Sequence, residues 1–140
     1  MFRSFMKPRH ILAVAAILAA GTLLAGPLCR AAADDVRPVA TAKLPNVPGK
    51  SITAIVVNYA PGAKSVKHHH AGSVLAYVLS GEIRSENSAT GPAKVFKAGE
   101  TFFEPPGSKH LVSENASATE PASLLAIFVA DDGAQLTICE

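Results

Sequence analysis

Lys67-His68-His69-His70-Ala71-Gly72-Ser73-Val74-Leu75-Ala76-Tyr77-Val78-Leu79-Ser80-Gly81 reads as two short β-strands around a glycine turn. A strand over 64–70 ends at Ala71-Gly72-Ser73. β-Branched and aromatic residues carry a second strand over 74–79, which Ser80-Gly81 stops. Side chains alternate between the two faces of a strand, so His68 and His70 share a face and His69 points the other way. The same rule puts Val74, Ala76 and Val78 on one face of the second strand and Leu75, Tyr77 and Leu79 on the other. Both faces are apolar, as in a strand covered on both sides.

Outward from this stretch the pattern repeats. Residues 52–59 are dense in β-branched side chains and end at the turn signal Pro61-Gly62. After Gly81, 82–85 continue as a hairpin partner, 86–92 are polar and loop-like, and 94–97 are short and turned by Ala98-Gly99. Residues 101–104 end at Pro105-Pro106-Gly107. Segments 109–115, 123–129 and 135–139 complete the set. Phe102 and Phe103 cannot point the same way; one is expected to line an interior pocket and the other to pack between sheets. No segment beyond residue 33 has helical periodicity of useful length. Short strands with regularly spaced turns predict an all-β sandwich or barrel.

The first 33 residues read as an export signal. Arg3, Lys7 and Arg9 form a positive start, residues 11–28 are apolar and uncharged, and Ala31-Ala32-Ala33 offers an A-x-A cleavage site. The competing reading is a retained membrane anchor, since the apolar run is near the ~18-residue floor for spanning. Cleavage predicts a periplasmic or secreted protein with no stable membrane association. It removes four of the thirteen basic residues and none of the eleven acidic ones, leaving a net charge of −2. The remaining cations are scattered, which speaks against nucleic acid as a partner. About 107 residues remain, enough for one core and too few for two. Residues 34–50, with Pro38, Pro45 and Pro48, read as an extended N-terminal arm, and 51–140 as the barrel. Cys139 is the one cysteine left after cleavage and is expected to be a buried apolar thiol.

The histidines carry the functional signal. His68 and His70 from one strand, with His110 of Pro106-Gly107-Ser108-Lys109-His110 from a distant one, are enough to hold one divalent metal. There is no nucleophile elbow, phosphate-binding glycine loop or zinc ribbon, and Ser-His-Asp chemistry is not indicated.

These residues resemble the cupin superfamily, small single-domain β-barrels of jelly-roll type. Its first motif is G, five residues, H-x-H, three or four residues, E, six residues, G. Here it reads Gly62, 63–67, His68-His69-His70, 71–73, Val74 and, after six residues, Gly81. The second is G, five residues, P-x-G, two residues, H, three residues, N. Here it reads Gly99, 100–104, Pro105-Pro106-Gly107, 108–109, His110, 111–113 and Glu114, with Asn115 one place late. The resemblance implies a cupin jelly roll with His68, His70 and His110 as metal ligands. It also implies that position 74 faces the cavity, where Val74 stands in place of the expected Glu.

Three neutral imidazoles without that carboxylate still suit Zn, Fe, Mn, Ni or Cu, and poorly suit Mg or Ca. Glu104 is a candidate replacement, as fourth ligand or as a carboxylate that orients a ligating histidine. Strand parity across Pro105-Pro106-Gly107 does not tell which way it points. The resemblance spans enzymes (oxygenases, decarboxylases, isomerases) and non-catalytic binding or sensing proteins, and fold does not choose among them. The expectation is an exported metal-binding cupin acting on a small-molecule ligand or substrate, oxygenase- or isomerase-like. The alternative is a non-catalytic ligand-binding or sensing module, and no catalytic residue is assigned. Small jelly rolls expose sheet edges that a second copy can cover, which admits a homodimer.

Overall fold

A computed structural model of the chain describes residues 35–140. The segment read as an export signal, 1–33, lies outside them. The described residues form ten strands and no helix, in line with the all-β expectation. The strands are β1 (Asp35–Lys43), β2 (Lys50–Tyr59), β3 (His68–His70), β4 (Ser73–Ser80), β5 (Glu82–Asn87), β6 (Gly91–Lys97), β7 (Thr101–Glu104), β8 (Lys109–Asn115), β9 (Ala122–Asp131) and β10 (Thr137–Cys139).

They build two five-stranded antiparallel sheets, ordered β1-β2-β9-β4-β7 and β10-β3-β8-β5-β6. Neighbours in each sheet come mostly from distant parts of the chain, as in a jelly roll. The period of two decides what each sheet turns inward. The first sheet contributes apolar rows, among them Val74, Ala76 and Val78 of β4 and Leu124, Ala126 and Phe128 of β9. The second contributes Ile83 but mostly polar groups: His68, His70, Ser85, Asn87, His110, Ser113 and Asn115. One wall of the barrel is therefore oily and the other hydrogen-bonding. Phe128, Ile83, Val74 and Val78 are the largest fully buried side chains, each contributing roughly 1.5–3 kcal/mol.

Two glycines are needed where they stand. A Cβ on Gly72 would run into the Val129 carbonyl, so only glycine lets the chain turn between His70 and Val74 against β9. Gly81 has φ 67°, in the left-handed region that side chains resist.

Several expectations need correction. The strand expected over 64–70 is confined to His68–His70; Lys64 makes only an isolated bridge to Glu114. Ser65 N instead donates to Ser113 O, drawing 61–67 across the barrel end as irregular chain. The stretch read as an extended arm is extended over 35–43, where it lies against the barrel as β1, paired along β2 at the sheet edge. Phe102 lines the interior, as one of the two phenylalanines was expected to, but Phe103 is exposed on the outer face rather than packed between sheets. Cys139 is disulfide-bonded, not a free apolar thiol.

Candidate metal centre

Three imidazoles meet on the inner face of the second sheet. His68 and His70, two apart on β3, both turn inward, with ring centroids 4.8 Å apart. His110 is the direct ladder partner of His68, at 5.0 Å between centroids, and lies 6.4 Å from His70. One ring nitrogen from each lies within 4.8 Å of the others. His69 is half-buried on the opposite face, paired with exposed Lys109.

The ring orientations are set by hydrogen bonds. His68 Nδ1 donates to Val66 O (2.7 Å) and His70 Nδ1 to Leu136 O (3.0 Å). A carbonyl only accepts, so both protons sit on Nδ1 and both Nε2 atoms keep a bare lone pair. Burial pushes the His68 imidazole down to about 4 and lowers His70 as well, so both are neutral at physiological pH. His110 is turned the other way. Its Nε2 shares a hydrogen bond with buried Ser85 Oγ (2.9 Å), which leaves Nδ1 facing Glu104.

Glu104 closes the site from the first sheet. It is 3% exposed, with Oε2 2.9 Å from His110 Nδ1 and 3.7 Å from His70 Nε2. The turn behind it is pinned: Gly107 N donates to His70 O (2.8 Å) and Ser108 Oγ to Pro105 O (2.6 Å). The side chain directly opposite on β4 is Val74, at the position where the motif expects a carboxylate. Burial alone would raise the Glu104 carboxyl. Contact with His110, and the influence of His70 and His68, outweigh it and hold the group below its ordinary value. Although close, Glu104 Oε2 and His110 Nδ1 are not aligned as a hydrogen bond, and both are buried without one. Unsatisfied polar atoms at this depth are costly. A cation accepting lone pairs from both would remove that cost. Three imidazoles and a buried carboxylate thus fit a divalent transition metal.

The site opens on a cavity of about 200 Å³. Val57, Leu124, Ala126 and Phe128 form its apolar floor, and Phe128 meets the His70 ring edge-on at 5.1 Å. Val74 and Ala76 line it too, as inward-facing positions of β4. Beside the metal ligands lies a hydroxyl cluster absent from the sequence reading. Tyr59 Oη is 2.9 Å from both Ser65 Oγ and Ser113 Oγ, and burial raises its pKa. Tyr59 was readable in principle, since it keeps parity with Val57 on β2. Ser113 was not: the β5–β8 register skips Leu111, and this bulge brings Ser113 to the same face as His110 despite an odd spacing.

The cupin-domain family model matches residues 55–128, which hold all three histidines and Glu104. No curated protein matches the chain in sequence. Among solved structures, a Klebsiella pneumoniae protein with a double-stranded β-helix domain is 24% identical, with a TM-score of 0.53, over 74% of this chain and 85% of that one. A DMSP lyase from Ruegeria pomeroyi is 20% identical, with a TM-score of 0.54, over 63% of this chain and 42% of that one. An oxalate oxidase bound to the substrate analogue glycolate is 25% identical, with a TM-score of 0.51, over 59% and 43%. The chain spans less than half the length of the lyase and oxidase chains, and these likenesses are of fold.

Proposed function

The chain belongs to the cupin family, and from that premise we propose that it holds one divalent transition metal through His68, His70 and His110, with Glu104 as the carboxylate of the set. Held there, a metal would face a small molecule in the apolar cavity and would serve an oxygenase- or isomerase-like reaction. The observation that carries this reading is the pair of buried atoms without hydrogen bonds, Glu104 Oε2 and His110 Nδ1, beside the bare Nε2 of His70. A divalent metal in such a set supplies Lewis acidity and, when redox-active, one-electron chemistry.

The chain's own residues prepare the site for it. Val66 O and Leu136 O fix two imidazole tautomers, and Ser85 steadies the third ring. The apolar first sheet keeps bulk water from the buried carboxylate and strengthens every charge interaction there. Tyr59 keeps its phenolic proton at neutral pH and can donate it within the cavity.

A non-catalytic ligand-binding role is the second reading. It is favoured by the scarcity of acid–base groups: beyond the imidazoles, Glu104 and Tyr59 are the only ionisable side chains lining the cavity among the described residues. The lyase and oxidase share the fold and name no substrate or reaction for this chain. The export signal read in 1–33 would place the activity in the periplasm or outside the cell.

The test is metal analysis and calorimetry on tag-free protein with Zn, Mn, Fe, Ni and Cu salts, beside a His70→Ala variant. One equivalent of metal bound by the wild type and lost in the variant supports the reading. A wild-type protein that binds none of these ions refutes it.

A further inference from the structure

Resting on that metal reading, we propose that the cavity takes a small molecule with a single anionic, metal-binding group and an uncharged apolar body no larger than one ring. Charge is the first argument. A divalent ion beside Glu104 retains one unit of positive charge, which one monoanionic group neutralises. No lysine or arginine lines the cavity among the described residues. A second anionic group would have no cation to meet and would lie near the Glu104 carboxylate, and burying an unpaired charge is costly.

Hydrogen bonding is the second argument. The polar lining apart from the metal set is four uncharged hydroxyls, which can turn a hydrogen bond to a ligand but cannot neutralise a second charge. Tyr59, Ser65 and Ser113 hydroxyls bond one another, and Thr137 Oγ1 lies 3.3 Å from His70 Nδ1. The rest of the wall is aliphatic or aromatic. Val36 and Val66, both about half exposed, continue the apolar surface to the rim. An entering molecule therefore passes apolar side chains before its head group reaches the histidines.

Size is the third argument. An apolar cavity of about 150 Å³ accommodates benzene. The volume here, about 200 Å³, leaves room for one ring, or a short branched chain, plus its head group.

Butanoate and succinate form a matched pair of probes. Each has four carbons and one carboxylate to offer the metal, and they differ in a terminal methyl against a second carboxylate. Benzoate tests the single ring. Zinc is first titrated into the full chain by calorimetry, and the three carboxylates are then titrated into the zinc-loaded protein. We expect butanoate and benzoate to bind at least tenfold more tightly than succinate. Succinate binding as tightly as butanoate overturns the proposal. So does a protein that holds one zinc and binds neither butanoate nor benzoate, which leaves the metal reading standing. A protein that takes up no zinc overturns both.

Discussion

Val74 and Glu104 are direct partners across the β4–β7 ladder, 1% and 3% exposed. The family motif asks for a carboxylate at position 74; this chain has valine there and carries its buried carboxylate one strand over. Directly opposed side chains lie about 5 Å apart, so a long side chain from either position reaches the same volume. The carboxylate missing from the first motif has a buried counterpart in Glu104, just before the second motif's Pro-x-Gly turn.

Glu104→Gln keeps the shape and removes the charge. Divalent-metal affinity should fall at least tenfold, as measured by competition with a chromophoric chelator. The double substitution Val74→Glu/Glu104→Val moves the carboxylate back across the ladder and should recover most of that loss. If Glu104→Gln binds metal like the wild type, the carboxylate does not take part.

His69→Ala should leave metal stoichiometry unchanged, because that ring is on the outer face beside Lys109. His68→Ala should abolish stoichiometric uptake while preserving a folded β-sheet spectrum. Equal losses in the two variants would show that both faces of β3 contribute.

Without metal, the fold should weaken on mild acidification. His68 is held near 4 when folded against 6.5 ordinarily, so between those values the unfolded chain binds a proton that the folded chain refuses. Its contribution is fully present above pH 6.5 and is lost as pH falls toward 4; His70 shifts in the same direction. Glu104 is depressed too, but its stabilising effect fades only below its ordinary value of 4.5. Unfolding free energies of the metal-free protein from urea titrations should therefore fall between pH 7.5 and 5, by at most about 1.4 kcal/mol per pH unit for each such imidazole. A flat profile over that range would contradict the neutral, buried assignment.

The outer face of the first sheet should bind a second copy of the chain. Leu75, Tyr77, Leu79, Phe103 and Val129 are 37–47% exposed there, whereas the outer face of the second sheet carries Arg84, Lys109 and Glu114. Four strands spaced ~4.8 Å and about seven residues long make a plane of roughly 20 by 24 Å. That is about 480 Å², roughly six-tenths of the ~800 Å² a standard interface takes from each partner, enough for a weak dimer. Its charges lie toward the margins, with Lys50 paired to Asp131 and Asp35 and Arg37 on the edge strand β1, leaving the apolar centre free to meet its copy across a two-fold axis. Sedimentation should give a dimer for the wild type and a monomer for Tyr77→Lys, with Arg84→Ala as a dimeric control. A wild type that stays monomeric at 100 μM, to choose a stringent concentration, would rule this out.

Much of this molecule was legible along the chain. Short strands with regularly spaced turns predicted an all-β fold, and the motif resemblance implied the cupin jelly roll and the three histidines that the structure brings within reach of one another. Alternation correctly placed His68 with His70, and Val74 with Ala76 and Val78; that the latter face turns inward was implied by the motif resemblance and is what the structure shows. Such rules hold because the two-residue period is local, a property of each uninterrupted strand. Tertiary structure decided what lay beyond an interruption. The direction of Glu104 relative to His110 was hidden by the Pro-Pro-Gly turn, and Ser113 by the bulge at Leu111. Which residue faces which, as Val74 faces Glu104, depends on hydrogen-bond ladders between segments remote in sequence, and parity within a single strand does not carry across such a gap.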